Sequence, residues 1–201
     1  KTRRRTTTPS FPASYLPMII AQRLRTENRA EYLLYMWQVE DIVRLYGADT
    51  DRICQEYLSR FNVKENEAAA MRQWYADICN MMHSEGKMES GHLQVNETVL
   101  DGLSDLHRRL LAAPQFHAYR AHYEQVLPYI VELRAKQAAK HTEQTDRNSE
   151  LRPLFELLYG VMMLRMQQKH ISDETARAAR ETADFLAILS QLWIKDRKAE
   201  L

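Results

Sequence analysis

Along most of this chain apolar residues recur every three or four positions, and no pattern of period two holds long enough to make a strand. The spacing predicts an all-α fold, a single bundle of six or seven helices. The first long helix is expected to begin at Asn28, where Asn28 as N-cap and Glu31 three residues on form a capping-box pattern, and to stop at Gly47. Asp49 or Thr50 can cap a shorter helix through Ile53, Cys54, Tyr57, Leu58 and Phe61. A third runs from about Glu65 to His83, before the polar, glycine-bearing loop Ser84–Gly91.

The second half continues the pattern. Val99, Leu100, Leu103, Leu106 and Leu110 mark a helix ended by Pro114. Residues 115–140 carry helical spacing with Pro128 inside it, which predicts a kink or break near Leu127. His141–Asn148 reads as a loop. A helix from Ser149 to about Lys169 tolerates Pro153 in its first turn, and Ser172 caps a last helix with Phe185, Leu186, Leu189, Leu192 and Trp193 on one face.

The opening helix is apolar almost all round, with polar residues set into it. Taking about 100° per residue from Glu31, Ile42 falls at about 20°, Tyr35 at about 40°, Leu34 at about 300° and Gln38 at about 340°. Glu31 and Gln38 therefore lie among apolar residues, whereas Glu40 (about 180°) and Arg44 (about 220°) point the other way. A carboxylate in a buried stripe needs a partner. Glu27, Glu31, Tyr35, Gln38 and Asp41 are thus candidates to line a polar pocket; the rival reading makes Glu31 a helix-end residue exposed beside its cap.

Composition narrows the field without naming a chemistry. Basic and acidic side chains number 28 and 27, so charge gives no reason to expect a nucleic acid or membrane surface as partner. The Arg3-Arg4-Arg5 cluster is too short to change that. Glycines number only five and prolines six, and three of the prolines are Pro9, Pro12 and Pro17, which leaves the rest of the chain nearly free of helix breakers. Residues 1–17 read as a disordered extension ahead of a domain spanning 18–201, with Met18 as the natural start. Cys54 and Cys79 fall in helical patterns and read as reduced, buried thiols of a cytoplasmic protein. No apolar run is long enough to span a membrane.

Motifs for catalysis are missing from the chain. It contains no His-Glu-x-x-His, glycine-rich phosphate loop or Gly-x-Ser-x-Gly, so no catalytic residue, metal ligand or cofactor is assigned. The segment Leu154–Met166 is dense in methionine and aromatic residues and reads first as core. Gly160 within it marks a place where another helix can come close, including one from a second copy.

The block Met18–Arg25, then Glu27-Asn28 and Ala30–Asp41, resembles the opening of a family of Bacteroidetes proteins known as a domain of unknown function. The resemblance implies a cytoplasmic bacterial protein and carries over no catalytic or binding residue. The expectation is therefore a non-enzymatic interaction protein acting as a homodimer, since the last helix and the methionine-rich helix offer more apolar surface than one small bundle needs. The alternative is a small-molecule-binding or enzymatic bundle with its pocket around Glu31 and Gln38.

Overall fold

The computed structural model describes residues 17–61, 64–139 and 150–201. The expectations for residues 1–16 and for the loop His141–Asn148 lie outside these residues. Eight α-helices and no strand occur among the described residues, so the fold is all-α. They fall in two compact units, one ending at Val99 and the other running from Leu100 to Leu201.

The unit ending at Val99 holds α1 (Pro17–Glu27), α2 (Arg29–Leu45), α3 (Thr50–Arg52), α4 (Glu65–Ser84) and the first turns of α5 (Gln94–Ala112). Asn28 does start a helix, but a preceding helix ends against it. Its backbone is extended (φ −152°, ψ 98°), and its side chain accepts a hydrogen bond from the Glu31 amide at 3.2 Å. Short polar side chains at this position satisfy amides that a helix start leaves unpaired. Pro17, expected in the extension, is the first residue of α1 and buried, and its carbonyl accepts the Tyr35 hydroxyl at 3.0 Å. That bond fastens α1 to α2.

Gly47 ends α2 as expected, and Gly86 ends α4 in the same way. Both have positive φ (67° and 64°). In each case the glycine amide returns to the carbonyl three residues back, and the next amide (Ala48, Lys87) returns to the one five back. Only a residue at home in the left-handed region closes a helix like this without strain. After α3, capped by Asp49 as expected, the chain continues through a π-helical turn at Ile53–Tyr57 and a 3-10 turn at Leu58–Arg60. Tyr57 there meets Tyr75 of α4 edge-on, ring centroids 6.2 Å apart. Met71, Tyr75, Ile78 and Met82 fill the core from α4, and Leu33 and Val43 from α2. Cys79 is buried as expected, but Cys54 is only half-buried beside the Arg72 guanidinium.

The second unit contains the rest of α5, α6 (His117–Ala139), α7 (Arg152–Met166) and α8 (Asp173–Arg197). Of the kink or break expected near Leu127, the break is absent, because α6 runs through Pro128. Pro128 and Glu124, whose carbonyl loses its helical partner, both lie on the exposed side. Water can meet that carbonyl, so the lost bond does not force the helix apart. Pro153 sits in the first turn of α7, and Ser172 caps α8 by accepting from the Thr175 amide at 3.2 Å. α6, α7 and α8 pack on one another around Leu154, Phe155, Phe185, Leu186 and Leu189.

The cap at Asn28 separates two helices, so its loss should be measurable. Asn28→Ala is expected to lower the unfolding free energy by about 1 kcal/mol, read by urea denaturation followed by circular dichroism. An unchanged midpoint would mean that the cap bond contributes nothing.

Candidate functional site

The carboxylate most deeply placed in the first unit is Glu40, not Glu31. Glu31 is exposed at the helix start, while the Glu40 side chain has no accessible surface. The expected orientation is therefore reversed. Going round α2, Leu33 lies at about 200° and Met36 at about 140° on the scale that puts Glu40 at about 180°. Both are buried, so Glu40 sits inside an apolar face, and α2 is covered on nearly every side.

The carboxylate is met by donors from one short stretch. Oε1 accepts from the Leu93 amide at 2.9 Å and from Asn96 Nδ2 at 2.6 Å, and Oε2 lies 2.6 Å from His92 Nδ1. A carboxylate only accepts here, so His92 Nδ1 carries the proton of that bond. The His92 ring stacks on Trp37 of α2, centroids 4.1 Å apart and 10° from parallel. One turn on, Arg44 donates from Nε to the Lys87 carbonyl at 3.0 Å, from Nη1 to Asp41 at 2.7 Å and from Nη2 to the Gly91 carbonyl. Glu40 and Arg44 together hold the connection between α4 and α5 against α2. Charge-assisted bonds in a dry setting are the strong ones, and a buried charge left without them is costly.

A second polar cluster lies in the other unit. His107 of α5 is buried, with Nδ1 at 2.6 Å from the Tyr119 hydroxyl and Nε2 at 3.4 Å from Glu150 Oε2. Tyr123 donates its hydroxyl to the same Glu150 oxygen at 2.7 Å. Phe185 closes the cage, its ring 5.9 Å from His107 and nearly perpendicular to it. Burial lowers the His107 pKa below its ordinary 6.5, against an opposing pull from Glu150. The neutral ring then donates from Nε2 to the carboxylate and accepts the Tyr119 proton at Nδ1. Burial also pushes the Tyr119 and Tyr123 hydroxyls well up, so both keep their protons. Partial burial pushes Glu150 up, but the hydrogen bonds from Tyr123 and His107 outweigh it and the net shift is down.

The five residues expected to line a pocket are not gathered on one surface. Tyr35 and Gln38 are buried, Glu27 and Glu31 are exposed, and Asp41 is half-covered beside Arg44. Glu27 lies 3.7 Å from Arg23, an exposed pair. A pocket around Glu31 needs that side chain to face inward, and it faces solvent. Sequence reasoning missed Glu40 and His92; the bracketing of Glu40 by Leu33 and Met36 was the available signal. Nothing local marks His107, whose partners stand 12 and 43 residues away.

Among the described residues no group of three or more His, Cys, Asp or Glu side chains could hold a metal ion. Nor is any helix there long and apolar enough to cross a membrane. A family model for a domain of unknown function, DUF4924, matches residues 18–200. The chain belongs to the DUF4924 family. No curated protein and no solved structure matches it. The match covers both units and both polar clusters of this DUF4924 protein.

Two outcomes follow from these clusters. Glu40→Leu leaves the Leu93 amide and the Asn96 side chain as unmet donors and is expected to destabilise by about 3–5 kcal/mol in chemical denaturation. Glu40→Gln, which retains an acceptor oxygen, should lose clearly less; equal losses would assign the effect to packing alone. The second outcome concerns pH. A histidine whose folded pKa lies below its unfolded 6.5 leaves the unfolded chain binding more protons, so its contribution is complete above 6.5 and declines as pH falls beneath it. Glu150, shifted down from 4.5, adds loss in the same direction only below that value. Stability measured from pH 7.5 to 5.5 should therefore fall on acidification, and less steeply in His107→Gln; identical slopes would remove His107 as the cause.

Proposed function

We propose that this DUF4924 protein acts by association and not by catalysis, as a homodimer whose contact surface lies on α7 and α8. The observation that carries this reading is the covering of the methionine-rich helix. The expectation that this segment is core is corrected by α7 itself: Leu154, Phe155 and Val161 are buried, but Met162, Met163 and Met166 are not. Leu157 and Leu164 on the same helix, and Leu192 and Trp193 on α8, are likewise only half-buried.

Apolar side chains grouped on packed neighbouring helices leave surface whose burial is favourable, at roughly 25 cal/mol per Å². Methionine suits such a surface because its flexible thioether adapts to the shape it meets. The polar clusters support the non-catalytic part of the reading. Glu40 and His107, the buried carboxylate and the buried imidazole, direct their hydrogen bonds to neighbouring parts of the fold. Two free cysteines accord with a reducing, cytoplasmic setting.

Sedimentation equilibrium tests this directly. The wild-type chain is expected at twice its 23.7 kDa mass. Met163→Glu places a charge on the half-buried face and is expected to weaken the dimer by about ten-fold or more, with unchanged helicity. A wild-type chain that stays monomeric at the highest soluble concentration overturns the proposal.

A further inference from the structure

Gly160 is a costly residue with no evident reason inside the chain. It stands in the middle of α7, where glycine disfavours the helix by about 1 kcal/mol relative to alanine. A Cβ built on it meets no atom within 4 Å, so no packing within the chain excludes a side chain there. The glycines at 47, 86 and 91 all serve positive φ, which Gly160 does not. Gly102 is also helical and open, but on α5 it is flanked three and seven residues on by Asp105 and Arg109, both exposed and charged. The apolar neighbours of Gly102, Val99 and Leu106, are already buried, whereas Leu157, Met163 and Leu164 beside Gly160 are only half-buried.

Those neighbours form a face. Measured round the helix from Gly160, Leu164 lies at about 40°, Leu157 at about 60°, Met163 at about 300° and Gln167 at about 340°. The buried residues Val161, Leu154 and Phe155 lie far round, at about 100°, about 120° and about 220°. Pro153 in the first turn is already covered, so the open face runs from Glu156 to Gln167. It is a notch at Gly160 between ridges of Leu157 on one side along the axis and Met163 and Leu164 on the other.

We propose that two copies of the chain pair through this face, α7 against α7, antiparallel about a two-fold axis passing beside Gly160. This rests on the homodimer reading above and adds its geometry. Leu157 and Met163 stand three residues either side of Gly160, so the two-fold sets Leu157 of each copy against Met163 of the other. The missing side chains let the two backbones approach at the crossing, as small residues do where helices pack closely. An isologous contact requires such self-complementarity.

Charge agrees with the antiparallel sense. On this face Glu156 (about 320°) stands toward the helix start, and Lys169 follows just past its end. The antiparallel pair places each end beside its opposite and opposes the two helix dipoles favourably.

Cross-linking locates the crossing. Gly160→Cys, oxidised with glutathione disulfide, is expected to give a covalent dimer on a non-reducing gel. Arg165→Cys on the far side of α7, and the wild-type chain with its native cysteines, should give none, because a disulfide needs Cα atoms within about 7 Å. As a second arm, Leu157→Cys and Met163→Cys copies should cross-link when mixed and not when each is alone. A wild-type chain that sediments as a dimer but cross-links at none of these positions overturns the Gly160 crossing and leaves the homodimer reading standing. A monomeric wild type overturns both.

Discussion

A carboxylate with no exposed surface must be met by donors, and the arrangement of the unit ending at Val99 follows from how Glu40 meets that demand. Its three donors come from a single run, His92, Leu93 and Asn96, so satisfying the charge also fixes where α5 begins. Trp37 then holds the His92 ring flat, and Arg44 takes up the carbonyls of Lys87 and Gly91. A hydrophobic residue at position 40 could pack as well, but it would not specify which backbone amides lie beside it. Specificity of this kind is a known use of buried polar groups, beyond any net gain in stability.

His107 does comparable work in the other unit by a softer means. It is neutral, and its two nitrogens have opposite roles: one accepts from Tyr119 and the other donates to Glu150. Glu150 stands just before α7, so the cluster relates the start of that helix to α5 and α6. The side chains that give α7 its proposed contact face are thus carried on a helix whose first turn is tied down.

Legibility in the sequence divided along a clear line. Features set by near neighbours could be read: the stops at Gly47 and before the loop at 84–91, the Ser172 cap, Pro153 in a first turn, and the all-α class. Features set by distant partners could not. Glu40 meets residues more than 50 positions away, and a helical wheel gives its direction only relative to a face assumed to be outside. That assumption failed because α2 is apolar on both sides and has little outside. A break at Pro128, one of the two outcomes expected there, does not occur, because solvent can meet the freed carbonyl. The pocket around Glu31 went with the misassigned face. The match to residues 18–200 agrees with the opening block's resemblance to a domain of unknown function.

The stack of Trp37 on His92 makes the three tryptophans optically unlike one another. Trp37 is buried, rigidly held and parallel to a second ring at 4.1 Å, whereas Trp74 and Trp193 are half-buried. An indole fixed in an asymmetric setting contributes strongly to near-ultraviolet dichroism, and that contribution vanishes when its setting loosens, even if helices persist. Trp37 and Trp193 belong to different units. The chain therefore carries a native chromophore in each half, through which the loss of side-chain order in one can be followed apart from the other.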